Sequence, residues 1–170
     1  GHVAGRTDFD KESVAKINPK AHYHVLNETM RSCFYRARWK MSNCIPYSIF
    51  LSQGDYPLKG FHYLLQAMPA VLERYPEAHV FVAGNNIIRS DTWQDTLKIS
   101  SYGKYLKKLI KENNLKDRVT MLGMLDADGM KEQLMRSHVF VCPSALENSP
   151  NSLGEAMLVG VPCVAADVGG

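Results

Sequence analysis

Two glutamates, Glu147 and Glu155, stand eight positions apart near the carboxyl end of a 170-residue chain, with Asn151-Ser152-Leu153 between them. A carboxylate accepts hydrogen bonds from vicinal hydroxyls, so such a pair can hold a diol. Upstream lies Lys59-Gly60, a cation just ahead of a helix-like stretch. An ammonium and the unpaired amides of a helix start act together on an anion such as a phosphate. Taken one at a time, these residues read more plainly as surface carboxylates and a solvated turn. Their joint framework shifts the reading: Pro143-Ser144, the two glutamates, Ala156-Met157, Gly160-Val161-Pro162 and Asp167-Val168-Gly169-Gly170.

Residues of this kind need a frame to hold them. From about Ser48 onward, short apolar runs alternate with amphipathic stretches. Strands are expected at 48–52, His79–Ala83, 119–122, Val139–Cys142 and 163–166. Phe61, Leu64, Leu65, Met68, Val71, Leu72 and Tyr75 recur at helical spacing, with Pro76 ending the helix. Pro69 inside that run predicts a kink or break. Tyr102, Leu106, Leu109 and Ile110 mark a second helix that stops at Asn113-Asn114. Asp126 caps a third, and Asn151–Val159 forms a fourth. Strands that are apolar throughout, separated by such helices, predict an α/β fold: a Rossmann-like, doubly wound parallel sheet. In such sheets ligands meet the carboxyl ends of the strands, where Lys59, Glu147 and Glu155 all fall.

The first 47 residues break this rhythm and read as a connector (1–47) from a preceding domain, leaving 48–170 as the binding domain. Segment 85–101 is polar and unpatterned, a long loop. The chain opens at Gly1-His2 without a methionine and stops at Gly169-Gly170 after a strand-like run, so both ends are expected to be cut from something longer. A hydrophobic fraction of 45% supports a core, and 22% charged residues a soluble surface. A net charge of +3 gives no nucleic-acid footprint. Cys33, Cys44, Cys142 and Cys163 form no paired motif, which fits a reducing cytoplasm. No signal peptide is visible, and no apolar run reaches the roughly 18–20 residues that span a bilayer.

The stretch from Pro143 to Gly170 resembles the donor-site motif of group 1 (family 4) retaining glycosyltransferases, in the carboxy-terminal half of the GT-B fold. That family reads Pro-Ser-x-x-Glu, a variable loop, then Glu-Ala-Met-Ala-x-Gly-x-Pro-Val-Val-Ala. The resemblance covers roughly Ile49 to Gly170. It implies that Glu147 touches the donor-sugar hydroxyls and Glu155 binds the ribose, while the backbone amides of Asn151, Ser152 and Leu153 hold sugar and diphosphate. It implies that Lys59 neutralises the diphosphate. The arginine the family usually adds is absent, with Gln53 or Gly54 in its neighbourhood. Either one cation fewer serves here or another basic residue substitutes. Gly84-Asn85-Asn86 corresponds to a glycine loop near the phosphates, and Leu122-Gly123-Met124-Leu125 to a loop whose backbone reads the base; for both, an ordinary turn is an equal alternative.

The resemblance further implies a nucleotide-sugar donor as partner, no metal or other cofactor, and retention of configuration. A glycan or lipid-linked acceptor would be held by the missing domain. The fragment alone is then expected to be inactive. Two rivals stay open: a nucleotide-sugar epimerase on the same fold and a non-catalytic nucleotide-binding module. A panel of UDP-, GDP- and ADP-sugars in thermal shift addresses base and sugar. No residue stands out as a general base, and His138 reads as opening a strand. His22 and His24 share one strand face, without the further ligands a metal requires. Lys104, Lys107, Lys108, Lys111 and Lys116 make a basic helix side, by default solvated. Its rival role is peripheral attraction to an anionic membrane at the cytoplasmic face. Gly5-Arg6-Thr7-Asp8-Phe9-Asp10 resembles a segment preceding the donor domain in some group 1 enzymes.

Overall fold

The computed structural model describes residues 1–89 and 99–168. The middle of the predicted 85–101 loop and Gly169-Gly170 lie outside the described residues. The chain opens with a small parallel unit: strand β1 (His2–Gly5), helix α1 (Asp8–Ile17) and strand β2 (His22–Val25), His2 pairing with His22 and Gly5 with Val25. Thr7 caps α1, its hydroxyl accepting from the Asp10 amide at 3.2 Å. Neither strand carries an apolar run, so this unit leaves no trace in hydrophobic periodicity.

A five-stranded, wholly parallel sheet follows: β3 (Ser48–Leu51), β4 (His79–Ala83), β5 (Val119–Gly123), β6 (Val139–Cys142) and β7 (Cys163–Ala165), in spatial order β5-β4-β3-β6-β7. The helices are α2 (Phe61–Arg74), α3 (Ser101–Glu112), α4 (Ala127–Arg136) and α5 (Asn151–Val159). Alternation along β3 sends Ile49 and Leu51 to one face and Phe50 to the other. The first face packs on Leu64, Leu65 and Met68 of α2 and on Leu106 and Leu109 of α3. On the second, Phe50 and Phe140 meet Met130 and Leu134 of α4 and Ala156 and Val159 of α5. The sheet is therefore doubly wound, as the alternating pattern implies. Strand order reverses between β3 and β6, and such a switch point opens a crevice at the strands' carboxyl ends.

Helix α2 runs unbroken through Pro69. A proline there leaves the carbonyl of Leu65 without its amide partner. The side chain of Asn113, at the end of α3, reaches that carbonyl at 3.5 Å. Neighbour packing thus supplies what the helix interior lacks. Residues 29–47 are also built in: Phe34 and Ala37 are buried in the second core layer. The Trp39 indole N–H donates to the Ser137 carbonyl at 2.8 Å, and the Trp39 amide to the Val159 carbonyl at 2.9 Å. Among the described residues no helix is long and apolar enough to cross a membrane.

Candidate functional site

The crevice at the switch point is a cleft of about 800 Å³. Its floor comes from the segments that follow β3 and β6. The two are locked together at Gly60, whose φ of +75° suits glycine and where a Cβ would stand 1.8 Å from the Pro143 carbonyl oxygen. Next to that contact the Ala145 amide donates to the Leu58 carbonyl at 2.8 Å. Lys59 Nζ then reaches Glu147 Oε1 at 2.6 Å, and the Ser144 hydroxyl donates to the same oxygen at 2.6 Å.

Helix α5 opens into this cleft. Its capping residue Pro150 offers no side-chain bond; its carbonyl instead accepts from the amides of Leu153 at 3.1 Å and Gly154 at 3.2 Å. Asn151 and Ser152, whose amides have no carbonyl one turn back, line the cleft. Ser149 holds a left-handed φ of 67° in the loop just before them. One turn further, Glu155 is 3% exposed. Both of its oxygens are taken by Arg31: Nε to Oε1 at 2.6 Å and Nη2 to Oε2 at 2.7 Å. The guanidinium lies over the Phe34 ring at 4.9 Å, and the pairing raises its pKa above the ordinary arginine value.

The second wall is the amino-terminal unit and the segment after it, contributing Arg6, Glu28, Thr29, Met30 and Arg31. Arg6 pairs with Glu28 and donates to Asn151 Oδ1 at 3.1 Å. Thr7 Oγ1 donates to Asn148 Oδ1 at 2.6 Å, and Asn148 Nδ2 donates to Asp10 Oδ1 at 2.8 Å. The Asp10 carboxyl also accepts the Arg6 amide, the main reason its pKa lies below the ordinary aspartate value. The loop carrying Glu147 is thus gripped from both sides.

Five of the residues singled out from sequence come together here: Lys59, Glu147, Asn151, Ser152 and Glu155. Four do not. Leu153 packs into the second core layer, with its amide engaged as above. Asn85 donates through its amide and its side chain to Asp55 Oδ2, at 3.1 and 2.7 Å, bracing the turns after β3 and β4. Gly84, with φ +108°, permits that brace, because a Cβ there would stand 2.6 Å from Asp55 Oδ1. Met124 is 72% exposed to solvent, whereas Leu125 and Met130 line the cleft instead. Sequence reading missed the whole second wall. One signal pointed to part of it: Thr7 followed three residues on by Asp10, a helix-start pattern.

The other candidates find local roles. His138 Nδ1 accepts the Tyr47 amide at 3.0 Å, at the amino end of β6 and away from the cleft. His2 stacks on His22 and His24, each at 5.1 Å, and its Nδ1 lies 2.8 Å from His24 Nε2. Among the described residues no group of three or more His, Cys, Asp or Glu is placed to hold a metal.

Comparison with known proteins matches residues 45–170 to the family model described as "Glycosyl transferases group 1". An uncharacterized glycosyltransferase of Methanocaldococcus jannaschii is 32% identical over 122 residues, 72% of this chain and 27% of that protein. A phosphatidyl-myo-inositol mannosyltransferase of Propionibacterium freudenreichii is 30% identical over 133 residues, 78% of this chain and 28% of that protein. The chain therefore spans under a third of the length of these curated relatives. Among solved structures, the pneumococcal O-GlcNAc transferase GtfA, in complex with UDP and GlcNAc, superposes with a TM-score of 0.71. It is 17% identical, with 98% of this chain and 30% of that one covered, a likeness of fold.

Proposed function

The chain belongs to the group 1 glycosyl transferases, and from that premise we propose that its cleft binds a nucleoside-diphosphate sugar for retaining glycosyl transfer. One observation carries the reading. The switch point between β3 and β6 gathers a cation, an open helix start and two carboxylates in one cleft. Lys59 and the amides of Asn151 and Ser152 hold the diphosphate, Glu155 the ribose and Glu147 the sugar hydroxyls. Leu125 and Met130 flank the base. As the sugar departs, negative charge grows on the diphosphate, and fixed donors already aimed there stabilise it electrostatically. No divalent metal is needed in this scheme.

Transfer itself belongs to a longer protein that supplies the acceptor. Holding two reactants in register is worth up to about 7–11 kcal/mol, and a lone donor domain forgoes it. The name of the mannosyltransferase relative supports a lipid-linked acceptor. The UDP in the transferase of similar fold supports a uridine donor. Thermal shift with UDP-, GDP- and ADP-sugars, with and without chelator, tests the proposal. A rise in melting temperature for one base, kept in chelator, is expected. No rise with any of them overturns the nucleotide reading. A rise lost in chelator and restored by magnesium or manganese overturns the metal-free one.

A further inference from the structure

The walls of the cleft are charge-balanced. Arg6 faces Glu28, Arg31 faces Glu155 and Lys59 faces Glu147. A nucleoside diphosphate entering such walls brings negative charge without a counter-ion, so at least one cation must exchange its carboxylate for a phosphate. The three pairs are not equally ready to do so. Glu155 is held by a planar fork whose N–H groups fill one acceptor site on each of its two oxygens. A ribose diol presents two hydroxyl donors and satisfies the same two oxygens. Departure of Arg31 therefore leaves no buried carboxylate unpaired once the ribose is in place.

The freed guanidinium has a place to go. Glu155 lies four residues into α5 from Asn151, about 6 Å along the helix axis at the usual rise. An arginine side chain spans that distance, and a guanidinium fork fits phosphate oxygens as well as carboxylate ones. Arg31 caps a single 3-10 turn, Ser32–Phe34, and its side chain is 46% exposed, so it is not walled in.

We propose that Arg31 is a donor-binding residue that works by exchange: it covers Glu155 in the empty cleft, yields it to the ribose, and moves onto the diphosphate. The proposal rests on the nucleotide reading given above. It means that a bare nucleoside must displace Arg31 while offering it nothing in return. A nucleoside diphosphate offers it a better partner. The cleft thereby discriminates phosphorylated ligands from nucleosides at a residue remote in sequence from Lys59.

Calorimetric titration of this chain with UDP, GDP and ADP, and with uridine, guanosine and adenosine, tests it. In Arg31→Gln the preferred nucleoside should bind more tightly and its diphosphate more weakly, each by about tenfold, the scale of a charge-assisted bond. Arg31→Lys keeps the charge without the fork, so it should raise nucleoside affinity and largely preserve diphosphate affinity; it carries the test if the glutamine variant does not fold. Parallel losses for both ligands would mean that Arg31 only holds Glu155 in position. Parallel gains would mean that it only blocks the cleft. Either pattern, or no change in either ligand, overturns the exchange while leaving the nucleotide reading intact. Failure of the unaltered chain to bind any of the six ligands overturns the nucleotide reading itself, and the exchange with it.

Discussion

Lys59 Nζ and Glu147 Oε1 meet at 2.6 Å although 88 positions separate them in the chain, and Ser144 donates to the same oxygen. Removing the lysine therefore leaves Glu147 hydrogen-bonded, and the fold should tolerate it. Lys59→Ala is expected to weaken nucleoside-diphosphate binding by about 1.5–3 kcal/mol, the range for bonds to charged groups, with little effect on the nucleoside. Isothermal titration of both ligands measures this. Equal losses would place the lysine's action on folding.

Glu155→Ala should act alike on both ligands. Nucleoside and diphosphate each lose the ribose acceptor, a loss of up to about 1.5–3 kcal/mol. Each is also spared the displacement of Arg31, so no preference between them should appear. Arg31 is half exposed and re-enters water, so the melting temperature should change little. Unchanged nucleoside affinity would remove Glu155 from the site.

Gly60→Ala should be strongly destabilising. The left-handed backbone alone costs a non-glycine residue about 1–2 kcal/mol. A methyl group placed 1.8 Å from the Pro143 carbonyl oxygen adds a collision with main chain, which cannot rotate aside. A drop above about 2 kcal/mol in denaturant unfolding is expected, together with weaker diphosphate binding as Lys59 shifts. A stable variant with intact binding would show that the two loops are not locked at this point.

Acid should weaken the fold through His79. Its Nε2 lies 2.8 Å from Thr120 Oγ1 across β4 and β5, and burial, reinforced by Arg118, pushes its pKa below the ordinary histidine value. The native state thus prefers neutral imidazole. The resulting stability is present above the unfolded value of about 6.5 and is lost as pH falls through it towards the lowered folded value. His62, pushed down by burial beside Tyr102, acts in the same direction. Melting temperatures should fall between pH 7.5 and 5.5, and less so in His79→Gln. An equal fall in that variant would assign the loss to other groups.

The sheet was legible because its strands are short apolar runs, and their ends located Lys59, Glu147 and Glu155. Pro69 warned of a kink or break; the helix does not break there, and the acceptor the proline orphans is met by Asn113, a partner 48 positions from Leu65 that no local pattern reveals. At the loop after β5 the sequence pointed to the backbone around Met124; the structure leaves the Met124 side chain exposed and sets its neighbour Leu125 in the cleft lining. Arg31 was illegible for a different reason. It lies in a polar stretch without periodicity, and its partner is 124 positions away. Chemistry could nominate Glu155, but only three dimensions show what sits on it.

The pairs that build the cleft join residues 88, 124, 141 and 145 positions apart. Closing loops of that length costs entropy before any contact forms, and chains rich in such contacts fold slowly. In chain order β6 takes its place beside β3 only after β4 and β5 have filled the other side. A chain still emerging from the ribosome consequently has no cleft until α5 is out. A nucleotide can recognise only the finished sheet, so its binding energy adds to global rather than local stability. Under limited proteolysis, donor should therefore protect this chain as a single unit, from the Arg6 turn through α5, rather than segment by segment.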